Sequence, residues 1–222
     1  TPKFMEQKTV NALALCPLFK QMSDTEIEDA LRDVSHKVIT FEKHEIYAIA
    51  GFSCNHADIM LRGEMTARMI APSGKQVEVI RLSKGDVIAP NFIFSDEHLM
   101  PVTIETESKV SILRMSPNSL RHLIDTHEKI RWSFIYLLSN IGAFLAEKVK
   151  FLSLLTIKEK VKFFLLSEVR AQGKRTITLN KSRQHLADAF AIQKFSLIRC
   201  LAELVEDGCI EIHGKEITIY KL

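Results

Sequence analysis

Residues 182–215, SRQHLADAFAIQKFSLIRCLAELVEDGCIEIHGK, decide how this chain is read. Ser182 is a good N-cap, and Leu186, Ala187 and Phe190 recur at the spacing of one helical face. The pattern breaks near Ala191 and Ile192, and Gln193 opens a second helix on which Leu197, Leu201 and Leu204 form a buried stripe. The opposite face and the N-terminal end are left to Gln193, Lys194, Phe195, Ser196 and Arg199, where a helix entering the major groove presents its side chains. Gly208 stops the helix. IEIHGKEITIY then alternates across a short His213-Gly214-Lys215 turn, as two paired strands do. Two helices and a hairpin in this order predict a winged helix-turn-helix with double-stranded DNA as its partner.

Charge runs the same way. The chain of 222 residues carries a net charge of +3, and residues 156–222 hold 12 basic against 8 acidic side chains, so the excess sits with the DNA-binding segment. With 46% hydrophobic residues, the rest of the chain is long enough to bury a second core. Cys16, Cys54, Cys200 and Cys209 are scattered, with no C-x-x-C pair and no zinc spacing, which predicts free thiols in a reducing cytoplasm. The N-terminal residues carry no basic leader with an apolar run and a cleavage site, so secretion is not expected. Trp132 to Val149 is apolar but interrupted by Ser139, Asn140, Gly142, Glu147 and Lys148, and reads as a helix of the fold, not a membrane span. No G-x-S-x-G, H-E-x-x-H or P-loop nominates a nucleophile, a metal or a phosphate cradle, so an enzyme is not expected.

Upstream, residues 9–35 read as short helices, with a break at Pro17 and a Ser23 to Glu26 capping box. From Val38 to Met115, the runs VITF, ADIML, MTARMI, VEVIRL and VSILRM alternate between Gly51, Gly63, Gly74 and Gly85, the signature of an antiparallel barrel, jelly roll or small sandwich. Between Glu128 and Leu155 a long helix follows, with Ile130, Phe134, Leu137, Leu138, Ile141, Leu145, Val149 and Leu152 on one stripe. Such a stripe can pair with its own copy across a two-fold axis. Two recognition helices about 34 Å apart then match an inverted repeat.

The order of β-roll, long helix and winged helix, with GKQVEVIRLSKGDVI from Gly74, Glu147-Lys148-Val149, Arg183-Gln184, Arg199 and His213-Gly214-Lys215, resembles the Crp/Fnr family of bacterial transcription regulators across nearly the whole chain. The resemblance implies an α+β fold: an N-terminal antiparallel, jelly-roll-like β-roll for effector sensing over residues 1–127, a dimerisation helix over 128–155 and a C-terminal winged helix-turn-helix over 156–222. It also implies a homodimer, an inverted-repeat DNA site, allosteric control by a small effector, and RNA polymerase as a partner. Position by position, Lys194, Phe195 and Arg199 fall on base-reading sites, and Ser182, Arg183, Gln184, Gln193, Ser196 and His213 on phosphate-contacting sites. Phe195 stands where many relatives carry a glutamate, so the half-site should differ from theirs.

The sensor departs from nucleotide-binding relatives. Where their Gly-Glu and Arg-Ser or Arg-Thr pairs hold ribose and phosphate, this chain has Ala89-Pro90 and Met100-Pro101, and Leu145 and Ala146 replace two purine-reaching polar residues. A phosphate needs a cation or several donors, so cyclic AMP is not expected as the effector. An apolar pocket lined by Phe92, Ile93, Phe94, Leu99, Met100, Phe134, Leu138 and Leu145 is the candidate site, with simple core filling as the alternative for the same residues. Haem with a nitric oxide or carbon monoxide response is a further reading, for which His36, His44, His56, His98, His122 and His127 supply ligands of no diagnostic spacing. An iron–sulfur cluster is disfavoured, since Cys16 alone lies near the N-terminus. A lone thiol switch at Cys16 or Cys54, and a ligand-binding module whose winged helix contacts protein instead of DNA, complete the alternatives.

Overall fold

The computed structural model describes residues 6–70 and 76–222. Gly74, expected to turn between two strands, lies outside the described residues. The chain divides into two compact units, residues 1–142 and 143–222.

In the first unit, helix α1 (Gln7–Leu13) and helix α2 (Asp24–Arg32) precede the strands. The Ser23 to Glu26 capping box forms in both directions: Ser23 accepts from the Glu26 amide, and the Glu26 carboxylate accepts from the Ser23 amide. Among the described residues seven strands follow: β1 (His36–Phe41), β2 (Ile46–Ala48), β3 (Ala57–Arg62), β4 (Met65–Ile70), β5 (Gln76–Leu82), β6 (Thr103–Thr106) and β7 (Val110–Met115). They form two antiparallel sheets, in the orders β1-β7-β3 and β2-β6-β4-β5. This is the predicted β-roll, to which the structure adds the short β2 and β6. Gly63 joins β3 to β4 at φ +89°, where a Cβ would stand 2.5 Å from the Lys109 carbonyl oxygen, so the turn requires glycine.

Ile59, Met60, Met65, Ile104, Ile112 and Leu113 of the sheets form one core with Leu13 and Leu31 of the first two helices. Leu120 and Leu123 of α3 (Pro117–Thr126), and Ile130 and Phe134 of α4 (Glu128–Leu154), close it. The structure thus buries the start of the α4 stripe within its own unit.

Helix α4 (Glu128–Leu154) runs as the stripe predicts, and the division between the units falls inside it. Beyond the division its apolar residues are open: Leu145 is 50%, Val149 64% and Leu152 40% exposed. No helix among the described residues is long and apolar enough to cross a membrane.

The second unit adds α5 (Ile157–Gln172), β8 (Thr176–Thr178), α6 (Arg183–Ala189), α7 (Lys194–Glu206), β9 (Ile210–His213) and β10 (Glu216–Ile219). A Thr156 to Glu159 capping box opens α5, and left-handed Gly173 closes it. The three strands form one antiparallel sheet, β8-β10-β9. Lys160 is unusual for a charged residue in being buried. Its ammonium donates to the carbonyls of Leu152 (2.9 Å) and Phe190 (3.2 Å), tying the end of α4 to the end of α6. Lys160→Met keeps the apolar stem and strands both acceptors. It should destabilise this unit by ~1–3 kcal/mol in urea unfolding followed by circular dichroism.

Candidate nucleic-acid interface

Ser182 caps α6 through a 3.1 Å bond accepted from the His185 amide, and Leu186, Ala187 and Phe190 turn into the core. The chain then reverses at Ala191, whose φ of +54° is the predicted break, and Gln193 takes extended geometry as the N-cap of α7. The Gln193 side chain makes no capping bond, so its amide is free for another partner. On α7, Leu197, Cys200, Leu201 and Leu204 are buried, which fixes the helix rotation. Lys194, Phe195 and Arg199 therefore face solvent, with Ser196 at the margin. Phe195 is 79% exposed, so its ring gains no hydrophobic burial in the free protein.

Arg199 is held by Glu203, with Nε 3.1 Å from Oε1 one helical turn on. Lys158 donates to the Asp207 carboxylate at 2.9 Å, fastening α5 to the end of α7. Across the hairpin, Glu211 accepts from the Tyr220 hydroxyl at 2.6 Å and lies 2.9 Å from His213 Nε2. These hydrogen bonds, Tyr220 first and His213 second, lower the Glu211 pKa. Gln184 donates to Asp188 at 3.0 Å.

Arg183 departs from the expectation of an outward phosphate contact. It is half-buried, its Nη1 has no hydrogen-bond partner, and it lines a small apolar cavity with Phe164, Leu179 and Leu186. Burial lowers its pKa. The other eight expected contacts are exposed or at the margin of α6, α7 and the hairpin.

The expected effector residues are distributed differently. Ile93, Met100 and Phe134 are core residues, Phe92 and Leu138 pack against that core, and Phe94 and Leu99 remain partly open. The Phe94 ring meets Phe134 edge-on at 5.8 Å. Leu145 falls past the division, in the second unit. Two non-glycine residues with positive φ, Ala89 (+48°) and His98 (+50°), bracket the loop between β5 and β6 that carries Phe92, Ile93 and Phe94. The loop is tied to itself, His98 Nδ1 lying 3.1 Å from the Ile93 carbonyl oxygen.

The remaining histidines are scattered over β1 (His36), a turn (His44), the approach to β3 (His56), α3 (His122) and its end (His127). Burial pushes the Cys16 thiol up to about 12 and raises that of Cys54, which holds both in the unreactive protonated form.

No local sequence pattern marks the buried cluster around Asp58. Arg114 Nη2 donates to its carboxylate at 2.6 Å and Nε at 2.9 Å, and Tyr47 donates at 2.7 Å. Burial, with the adjacent carboxylate adding to it, raises the Tyr47 pKa.

Two family models match the chain: a Crp-like helix-turn-helix domain over residues 159–222 and a cyclic nucleotide-binding domain over residues 38–127. Together they span more than half of it. No curated protein sequence matches. Among solved structures, the chain is similar to the global regulator CLP of Xanthomonas campestris, at 16% identity over 90% of this chain and 100% of that one, with a TM-score of 0.64. It is also similar to the catabolite activator protein of Thermus thermophilus (16% identity, 92% and 94% covered, TM-score 0.57). A third is FixK2 of Bradyrhizobium japonicum (15% identity, 85% and 94% covered, TM-score 0.57). At these identities the likeness is one of fold.

Proposed function

The chain belongs to the Crp/Fnr family of DNA-binding transcription regulators, and from that premise we propose that it acts as a homodimer that reads an inverted-repeat duplex and answers to a small effector other than cyclic AMP. The observation that carries this reading is α7. Its apolar residues are buried, and Lys194, Phe195 and Arg199 stand on the face that remains. Arg199 and Lys194 can donate to guanine O6 and N7, while Phe195 can meet a thymine methyl but accepts no hydrogen bond. Ser182, Gln184, Gln193, Ser196 and His213 lie where they can set register on phosphates, with the unpaired amides at the start of α7 adding donors.

Dimerisation is supported by the open part of α4. Leu145, Val149 and Leu152 recur at intervals of four and three and are exposed in the single chain, as a seam awaiting its copy is. The effector reading rests on chemistry. Ala89-Pro90, buried Met100 and exposed Pro101 offer no charge to a phosphate. The Xanthomonas campestris regulator CLP is c-di-GMP responsive, so this fold is not tied to cyclic AMP. Effector binding would shift the balance between two dispositions of the recognition helices, by as much as its affinities for them differ. A regulator of this kind works in the cytoplasm beside RNA polymerase.

Selection of duplexes from a random pool, followed by sedimentation of the complex, tests the proposal. The expected product is an inverted repeat bound by two chains. Recovery of unrelated sequences, or one chain per duplex, would contradict it.

A further inference from the structure

The second unit contains a groove that the DNA-reading surface does not use. Its walls are the end of α4 with Phe144, Lys148 and Phe151, α5 with Phe163, and the approach to α6 with Lys181, and it encloses about 240 Å³. The Phe151 ring lies 5.6 Å from that of Phe163 and 5.5 Å from that of Phe190, tilted against the first and edge-on to the second, so an aromatic cluster forms the wall. Phe144 and Phe163 are each 58% exposed, which leaves a wet apolar surface at the mouth.

Two cations stand on this surface. The Lys148 ammonium lies 6.0 Å from the Phe144 ring centre and 5.9 Å from that of Phe151, and Lys181 completes the rim. Neither has an ion-pair partner among the described residues, and the wall holds one acid, Glu147, against them. Leu186, Ala189 and Phe190 of the α6 segment also line the groove, and Leu186 and Phe190 belong to the core that fixes α6.

We propose that this groove is a small-molecule site for a planar aromatic carboxylate of one or two rings. The rings would stack among Phe144, Phe151 and Phe163, and the carboxylate would accept from Lys148 and Lys181. The volume lies just below that of drug-sized pockets, about 300–1,000 Å³, which restricts the occupant to a small acid. The site is separate from the β-roll and does not depend on what the β-roll binds. Because its wall includes α6, occupancy would stiffen the segment that carries the DNA-reading helix pair.

The test is calorimetric titration of the full chain with 2-naphthoate and with its neutral counterpart, 2-naphthylmethanol. The acid should bind once per chain and about tenfold tighter than the alcohol, the gain of charge-assisted hydrogen bonds. Lys148→Met and Lys181→Met, both surface changes, should each remove most of that preference and leave alcohol binding in place. The double variant Phe144→Ser/Phe163→Ser should lose both ligands while keeping the wild-type circular dichroism spectrum. Equal affinity for acid and alcohol, or acid binding untouched in the double variant, would overturn the proposal. Absence of acid binding combined with weaker self-association of the double variant would also overturn it, since the groove would then belong to the contact between copies.

Discussion

Asp58→Ala should cost the first unit ~3–5 kcal/mol of folding free energy, because it leaves the Arg114 guanidinium partly buried with no counter-charge. Asp58 has no solvent exposure and sits directly opposite Arg114 on the paired strands β3 and β7. Its two oxygens take three hydrogen bonds from that side chain and one from Tyr47. Removing the carboxylate deletes all four, and the Tyr47 hydroxyl loses its acceptor as well. The pair need not be a net source of stability. Replacing both partners with apolar residues, as in Asp58→Leu/Arg114→Met, should recover most of the loss, since the desolvation cost goes with the charges. Urea unfolding followed by Trp132 fluorescence measures both variants. A loss below about 1 kcal/mol for the single change would mean that water reaches the pair.

Arg199→Ala should weaken specific DNA binding by ~1–3 kcal/mol for each half-site, or ~2–6 kcal/mol for a symmetric dimer on an inverted repeat. The loss should fall at one base position, with little change on unrelated duplexes. In the free protein the guanidinium rests against Glu203 and is 78% exposed, so little structure is lost with it. The folding free energy should move by less than about 1 kcal/mol. Glu203→Gln releases the arginine and removes a negative charge from the DNA-facing side, so it should raise affinity on all duplexes. Fluorescence anisotropy on a panel of single-base variants separates these effects. Equal loss on every sequence for Arg199→Ala would make it a phosphate contact instead.

The DNA-binding unit was legible because its signals are local. Ser182 as a cap, the break at Ala191, the Leu197 to Leu204 stripe and the hairpin around Gly214 all lie within a few residues of what they determine. The long helix was legible for the same reason, through its unbroken periodicity. The short strands β2 and β6 carry too few residues for a period of two to register, and β2 leaves Ile46 exposed. The Asp58, Arg114 and Tyr47 cluster depends on strand pairing across dozens of residues, which single-sequence patterning does not reach.

Side-chain direction was the other blind spot. Arg183 in the first turn of α6 looks like a surface cation, yet its Nη1 is buried beside Phe164 and Leu186. Lys160 is likewise a buried clasp, although nothing in its local sequence marks it for burial. The aromatic groove is invisible in sequence because Phe144, Phe151 and Phe163 alternate with charges on two helices, and only their packing brings the rings together.

The measurement that bears most directly on the central claim is the salt dependence of duplex binding by the full chain, with fluorescence anisotropy read from 50 to 300 mM salt. A dimer that sets its register through phosphates should show a linear fall of log K against log salt with a slope of about −5 or steeper. That result, with the selected inverted repeat bound at least about a thousandfold more tightly than random duplex, is what a sequence-reading regulator gives. Binding that ignores salt, or no binding to duplex at all, would mean that the exposed face of α7 meets a protein instead.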